Sequence, residues 1–302
     1  MATLLQNIQD VFLELGLPSP NAVATSSDPQ VLQAQALLNR VGATLSTDKD
    51  FQVLVQEYRF TTNAYTYTGD VTLGSNIITN VSSVTGLTTD FQVSGTGVMQ
   101  DSQITAVGTT TITMSIPATA TSTGVTLNFG QNKYDLPSDY ARMVDKTQYN
   151  KSMRWSVVGP KDAQEWQWLK SSYITTGPRM RFRIIDNQFN IWPAPTQNIV
   201  LGFEYISNAW VVGYDGTAKT KATNDGDSFL FPDALLVLGT KLKLFEIKGF
   251  DTTSVLQDYM VELEKYKAAE SGADTLSLAP KYPNILLTQN NIPDSSFANY
   301  AE

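Results

Sequence analysis

Length, composition and charge set the first limits on this chain. It has 302 residues, 42% hydrophobic and 17% charged, a composition typical of a globular protein with one main body and one insertion. It contains neither His nor Cys, which excludes thiolate nucleophiles, His-based triads, the usual zinc sites, haem ligation and disulfides. The net charge of −8 argues against an electrostatic grip on nucleic acid over the whole surface.

Carboxylate, Lys, Ser and Tyr chemistry stays open, as does a hard cation held by carboxylates. The N-terminal region, 1–16, lacks the basic segment that opens a signal peptide. No stretch of the sequence approaches the roughly 18–20 apolar residues of a membrane span. The sequence therefore predicts neither secretion nor membrane insertion.

The first 64 residues are predicted to form three amphipathic helices. The first opens with a Thr3-x-x-Gln6 capping box and closes at Gly16. The second begins at Asp28-Pro29, a capping acid before a proline in the first helical position, and is predicted to run to about Ala43. Apolar residues at helical spacing predict a third helix over 47–58.

From residue 65 the pattern changes to that of short strands. The stretch 69–130 is rich in Thr, Ser, Val, Ile and Gly, and it contains no Lys or Arg. Its short apolar runs are separated by turns that contain Gly. These features predict a separate module, either a small β-sandwich or a barrel.

Mixed helices and strands follow this module. A helix is predicted from Pro160 and a strand over 179–185. After a loop rich in Gly and Asp, one helix is predicted from Pro232 to Gly249 and a second over 253–270. The apolar stripes of these last two helices predict an α-hairpin.

The predicted fold class is therefore α+β. A bundle of N-terminal and C-terminal helices carries a small antiparallel β region, an inserted all-β module of immunoglobulin-like or sandwich type, and an extended C-terminal arm. We expect the main body over 1–65 and 131–272, the inserted module over 66–130 and the arm over 273–302. The arm is predicted because prolines separate its apolar clusters and helical periodicity is missing.

The strand that contains Arg179, Arg181 and Arg183 is the first candidate site. Side chains alternate along a strand, so the three guanidinium groups are predicted on one face and three apolar groups on the other. Such a basic stripe can be a solvated edge that discourages strand addition, a contact for acidic residues of a partner, or a phosphate contact. The first interpretation is favoured, then the partner, and DNA last.

Other acidic motifs favour structural roles. The stretch 224–227, Asn-Asp-Gly-Asp, resembles a fragment of a calcium loop but lacks the full ligand spacing, so a plain turn is favoured. Carboxylate pairs at Asp135 and Asp139 and at Glu262 and Glu264 raise the possibility of a glycosidase, which their spacing does not establish. No nucleotide-binding or hydrolase motif occurs. We therefore predict no catalytic residue, cofactor or metal.

Four segments in order resemble a known family. They are the helical region through Tyr58, the block Tyr134-Asp135-Leu136-Pro137-Ser138-Asp139-Tyr140-Ala141-Arg142-Met143, the Phe189 to Pro195 strand with its Pro-Ala-Pro, and Phe231-Pro232-Asp233-Ala234-Leu235-Leu236. The chain resembles the head-to-tail adaptor proteins of short-tailed phages, the family that includes tail tubular protein A. Two departures are the inserted module and the long arm.

The resemblance implies a structural virion protein at the head-tail junction, made in the host cytoplasm, with no enzymatic activity. It implies a ring, expected to contain twelve copies, that contacts the portal ring above and the tail nozzle below. Genome DNA would pass through an axial channel without specific binding, and no membrane partner is expected. An acidic channel wall suits that task because it repels the phosphate backbone.

The arm is the second candidate site. Its apolar clusters, Leu276 with Leu278 and Ile285 with Leu286 and Leu287, cannot all pack within a segment of this kind. Such a segment gains free energy by ordering against a neighbour, and we expect it to dock on the portal.

Two other functions stay open on the sequence. In one, the β-module binds a glycan or the capsid and the remaining chain supports it. In the other, the chain is a carboxylate-based cell-wall glycosidase, motivated by the acidic pairs and by aromatic residues such as Trp166 and Trp168.

Overall fold

A computed structural model describes residues 2–159, 162–171 and 180–271, and it confirms an α+β fold. Contacts divide the chain into two units. Unit 1 contains the described residues up to Gln56, Ser138–Met143 and the described residues from Tyr205 onward. Unit 2 contains Glu57–Pro137 and the described part of Val144–Glu204.

The described ranges contain five α-helices and seventeen strands. The helices are α1 Leu4–Glu14, α2 Pro29–Asp48, α3 Ala163–Lys170, α4 Asp233–Lys248 and α5 Thr253–Ser271. The strands are β1 Val55–Thr61, β2 Ala64–Val71, β3 Ile77–Ile78, β4 Phe91–Gly95, β5 Ser102–Val107, β6 Ile112–Met114, β7 Ser122–Gln131, β8 Lys133–Asp135, β9 Tyr140–Met143, β10 Tyr149–Asn150, β11 Trp155–Ser156, β12 Arg181–Ile185, β13 Gln188–Trp192, β14 Val200–Ser207, β15 Val211–Val212, β16 Ala218–Lys219 and β17 Ser228–Phe229.

The first two helices begin where the sequence predicts. The Thr3 hydroxyl accepts a hydrogen bond from the Gln6 N–H, and the Gln6 side chain accepts one from the Thr3 N–H, which completes the capping box of α1. The Asp28 carboxylate accepts from the Gln30 N–H at the start of α2. Helix α2 extends five residues beyond the predicted end at Ala43, because Leu45 lies on the face that the helix buries.

The prediction of a third helix over 47–58 is wrong. A short 3-10 turn over Gln52–Leu54 and strand β1 occupy this stretch. Lys49 has extended backbone and ends α2, and Phe51 before the turn and Leu54 at its end are fully buried. From Tyr58 the aromatic residues follow a period of two, which suits a half-buried strand and overrides the helical spacing of the residues before it.

Unit 1 is a helical bundle with a small sheet. Helices α1, α2 and α5 pack against α4, and the α4–α5 hairpin is confirmed. Gly42 of α2 faces the indole of Trp210, and a Cβ atom at this position would clash with three atoms of the ring. That indole stacks on Phe229 and donates its Nε1–H to the Thr220 carbonyl. Strand β15 joins the bundle and pairs with β16 and β17.

Six strands of unit 2 form a curled antiparallel sheet in the order β2-β7-β4-β5-β6-β3. The sheet nearly closes, because Asp70 and Thr79 exchange backbone hydrogen bonds of 2.8 and 3.0 Å between β2 and the end of β3. Its interior is apolar, with Ile78, Val93 and Phe129 fully buried. Of the two predicted alternatives, sandwich and barrel, this pattern is that of a nearly closed barrel.

Two further sheets complete unit 2. Strands β12, β13 and β8 form one antiparallel sheet, and β14 lies between β1 and the β10–β11 pair in the other. At the turn between β12 and β13, Asp186 and Asn187 adopt φ of 53° and 56°, the pattern of a type I′ hairpin. Because the contacts group these sheets with the barrel, the predicted boundaries of 66–130 for the module stay a prediction.

Candidate functional site

The basic stripe on β12 is described in part. Arg181 and Arg183 flank the fully buried Phe182 and are themselves half-buried, so the two faces of the strand differ as predicted. The Arg183 Nη1–H donates to the Asp162 carbonyl at the start of α3, at 3.5 Å. Arg179 lies outside the described residues. The stripe therefore stays a prediction as a partner-binding surface, with one of its guanidinium groups in contact with unit 2 itself.

The acidic turn at 224–227 holds unit 1 together. The fully buried Asp227 carboxylate accepts hydrogen bonds from the backbone N–H groups of Tyr214, Thr223 and Asn224, and Lys219 forms an ion pair with it at 3.0 Å. Asp225 accepts from the Val23 and Ala24 N–H groups. These protein donors occupy the oxygens that a cation would need, which favours the turn over the calcium loop.

The pKa of Asp227 reflects two opposed effects. Burial by itself raises the pKa of this carboxyl, but the donors from Asn224, Thr223, Lys219 and Tyr214 outweigh burial and hold the pKa below its ordinary value. Asp227 is therefore charged over the whole neutral range. Its role is to fix the loop that joins β15 and β16 to β17.

The carboxylate pairs take part in structural bonds. Within unit 2, the Asp135 carboxylate accepts from the Gln188 side chain at 2.9 Å. Within unit 1, Asp139 accepts from the Tyr205 and Ser207 hydroxyls, and Glu262 pairs with Lys265 at 3.1 Å. Each of these three carboxylates therefore has a structural role in its own unit.

The described residues contain neither a cluster of metal ligands nor a membrane-spanning helix. In residues 2–159, 162–171 and 180–271, no three Asp or Glu side chains come together as a metal site would require. No helix in these ranges is both long and apolar enough to span a membrane.

An ion pair within unit 2, which joins the barrel to α3, was not predicted from the sequence. Asp101, on the barrel loop before β5, forms an ion pair of 3.2 Å with Lys170 at the end of α3. Burial raises the pKa of Asp101, and the charge of Lys170 offsets part of that shift. Because these residues are distant in sequence, no local pattern could have found the pair.

An apolar groove in unit 1 was also missed. It has a volume of about 360 Å³ and lies among the end of α1, the start of α2 and the end of α4. Its apolar walls are Phe12, Leu15, Leu17, Leu244, Phe245 and Phe250, and Gln30, Gln33 and Lys248 complete its rim. The Phe250 side chain stays 61% exposed in the turn between α4 and α5. The signal in the sequence was Phe250, an aromatic residue directly after the Gly249 cap with no helical position to fill.

The predicted arm residues Leu276, Leu278, Ile285, Leu286 and Leu287 lie outside the described residues. In the described ranges, charged side chains such as Asp227, Asp101 and Glu262 serve the fold, whereas the apolar side chain of Phe250 is exposed beside a groove with apolar walls. Exposed apolar surface of this kind is typical of proteins that assemble with others. The fold and these surfaces indicate a structural assembly protein.

Comparison with protein families identifies the family of this assembly protein. Residues 75–281, more than half of the chain, match the model of the SU10 adaptor protein, and the chain belongs to this family of phage adaptor proteins. The predicted resemblance to a phage adaptor is thereby confirmed, and the chain is a structural protein of the virion. No curated protein matches the sequence.

Proposed function

We propose that this chain is one subunit of the adaptor ring between the portal and the tail nozzle of a short-tailed phage. The ring contains twelve copies, resembles that of tail tubular protein A, and leaves an axial channel through which the genome passes. The observation that supports this function most strongly is membership of the adaptor family over residues 75–281.

The charge of the chain agrees with a channel through which DNA passes without sequence-specific binding. The net charge is −8, and the barrel stretch 69–130 contains no Lys or Arg. DNA carries about one negative charge per 1.7 Å of helix axis, so an acidic wall repels the duplex and lets it slide. The basic stripe at Arg181 and Arg183 then faces an acidic partner subunit or solvent.

The family segments also fold as parts of the body. In unit 1, the Asp139 carboxylate accepts from the Tyr205 and Ser207 hydroxyls, at 3.0 and 2.6 Å, which fixes the start of β9 against the end of β14. Phe231 packs edge-on against Phe51 just before α4 begins. These contacts tie the family segments of unit 1 together, and that unit can then supply surfaces for the portal and the nozzle.

A second candidate function is that the barrel binds a glycan or the capsid. The observation that favours it is exposed apolar surface on the barrel, where Leu73 is 65% exposed and Ile77 and Met99 are each more than 40% exposed. Under this alternative the ring body is only the support of the barrel.

Excision of the barrel distinguishes the adaptor function from the glycan- or capsid-binding function. Ala64 pairs with Gly130, and the Asn63 side chain donates to that of Gln131, so the two ends meet and a short Gly-Ser linker can replace 65–129. The adaptor proposal predicts that the excised chain still joins the portal ring, measured by mass photometry. A folded excised chain that fails to bind the portal would contradict it.

If the barrel instead binds a glycan or the capsid, its excision affects adsorption and not assembly. Particles built with the excised chain would assemble but lose adsorption to the host. Because Gly130 packs closely against Pro195, excision can disturb unit 2. The double variant Leu73→Asp/Ile77→Asp, which changes only exposed side chains, therefore serves as the matched test of the barrel surface.

A further inference from the structure

The groove of unit 1 has the properties of a peptide-binding site. Phe12, Phe245 and Phe250 supply aromatic walls, and Lys248 is the one charged residue among those that line it. In the described structure, the side chains of Gln30 and Gln33 on the rim make no hydrogen bond within the chain, which leaves two amides for a ligand backbone. The volume of about 360 Å³ suits a few aliphatic side chains.

We infer that this groove receives the Ile285-Leu286-Leu287 cluster of the same chain. The stretch 283–292 contains no charged residue, and this cluster stands at its centre as three consecutive aliphatic residues. Burying them against the Phe245 and Phe250 walls removes apolar surface of both partners from water. The uncharged flanks suit a groove that offers amides and a single Lys.

The length of the chain permits this contact for the Ile285-Leu286-Leu287 cluster. The end of α5 lies beside the end of α2, because Lys267 forms an ion pair with Asp48 and its carbonyl accepts from the Lys49 Nζ. Gln33 stands fifteen residues back along α2, about 22 Å away. From Ser271 to Ile285 an extended chain spans up to about 46 Å, about twice that distance, whereas Ser271 to Leu278 spans about 23 Å and leaves almost no slack.

Mass action favours the cluster of the same copy over that of a second copy. A segment tethered by a short connection has an effective concentration on the order of millimolar at its own site. A free subunit at micromolar concentration meets other copies about a thousandfold less often. The groove of the unassembled subunit is therefore filled in cis.

The consequence is a stored arm. In the free subunit, the cluster lies in the groove and is covered, and on the portal it exchanges the groove for the portal surface. Transfer of the cluster from the groove to the portal rests on the proposed function. Docking of the cluster in the groove does not. The two sites compete for the same three residues, so binding at the portal must exceed binding in the groove for the ring to form.

Engineered cysteines test the docking directly, because the natural chain has none. In the double variant Gln33→Cys/Thr288→Cys, one thiol lies on the groove rim and the other directly follows the cluster. We expect a disulfide within one chain, seen as a monomer of increased mobility on non-reducing gels and by intact mass. The isolated chain is used, so the result does not depend on the portal.

The control pair is Ala43→Cys/Thr288→Cys. Ala43 is exposed on the same helix and lies nearer to the end of α5 than Gln33 does, so random encounters would favour it. Docking predicts that the Gln33 pair oxidises about tenfold faster, which corresponds to about 1.4 kcal/mol. Adding Leu286→Asp should bring the Gln33 pair down to the rate of the control.

Two results would overturn the inference. One is a Gln33 pair that oxidises no faster than the Ala43 pair, which means random encounter. The other is a disulfide that links two chains, seen as a dimer on the same gel, which means that the groove accepts a second copy. Failure of portal binding in a separate assay would affect only the proposed function.

Discussion

Truncation of the chain after Leu278 is expected to abolish ring formation on the portal and to leave the fold of both units intact. The residues buried in the described cores extend to Leu263, which precedes the arm in sequence. The truncation removes Ile285, Leu286 and Leu287, the apolar cluster that we propose as the portal contact. Mass photometry of the mixture with the portal ring measures the effect.

The matched control is a truncation after Gln289, which keeps the cluster and removes the last part of the chain. This variant should still join the portal, and both truncations should show the circular dichroism spectrum of the full chain. Portal binding that survives loss of the cluster would show that the arm is not the contact. An altered spectrum in the shorter variant alone would mean that the cluster supports the fold.

Replacement of Asp227 by Ala is expected to lower the free energy of unfolding of unit 1 by about 3 kcal/mol or more. The substitution leaves Lys219 without its carboxylate and removes the acceptor of three backbone N–H groups. Asp227→Asn should not restore stability, because its amide nitrogen would face donors. Denaturant unfolding at pH 7, followed by circular dichroism, measures the loss.

The effect of Asp227 should also depend on pH in a defined direction. Because the folded pKa of this carboxyl lies below its ordinary value, its contribution is full above about pH 4 and is lost as the pH falls through the folded pKa. The difference between the natural chain and Asp227→Ala should therefore shrink from pH 7 to pH 3. An unchanged difference would contradict the role of the charge.

Asp215→Ala is the control for this prediction. Asp215 lies in the same loop, is exposed and accepts only from Thr217, so its loss should leave the unfolding midpoint close to that of the natural chain. A loss as large as that from Asp227→Ala would mean that any change in the loop destabilises the unit.

Elements with local signals were predictable. The capping box at Thr3, the Asp28-Pro29 start and the Gly249 cap each depend on a few neighbouring residues, and each helix begins or ends there in the structure. The stretch after Thr47 failed because two signals competed. Phe51 and Leu54 are spaced as on a helix, yet both are buried around a short turn, and the strand begins directly after them.

Features made by distant residues were not predictable. Closure of the barrel depends on Asp70 and Thr79, and each lies in a segment that also fits an open sheet. The stretch 224–227 resembles a calcium loop because the sequence shows its carboxylates. It does not show the backbone N–H groups that donate to Asp227. The groove was missed because its walls come from helix ends more than two hundred residues apart.

The candidate site was predicted in part for the same reason. The alternation of Arg181, Phe182 and Arg183 is a property of one strand, so the basic stripe could be found from three consecutive residues. Its partner cannot be found in that way, since complementarity belongs to a second surface. Membership of the adaptor family identifies the class of that surface and not its residues.

The measurement that tests the adaptor ring most directly is the mass of the purified chain, alone and mixed with the portal ring of its phage. We predict a small species alone and, in the mixture, a complex that exceeds the portal by the mass of twelve chains. A chain that stays small beside an intact portal would contradict the proposed function.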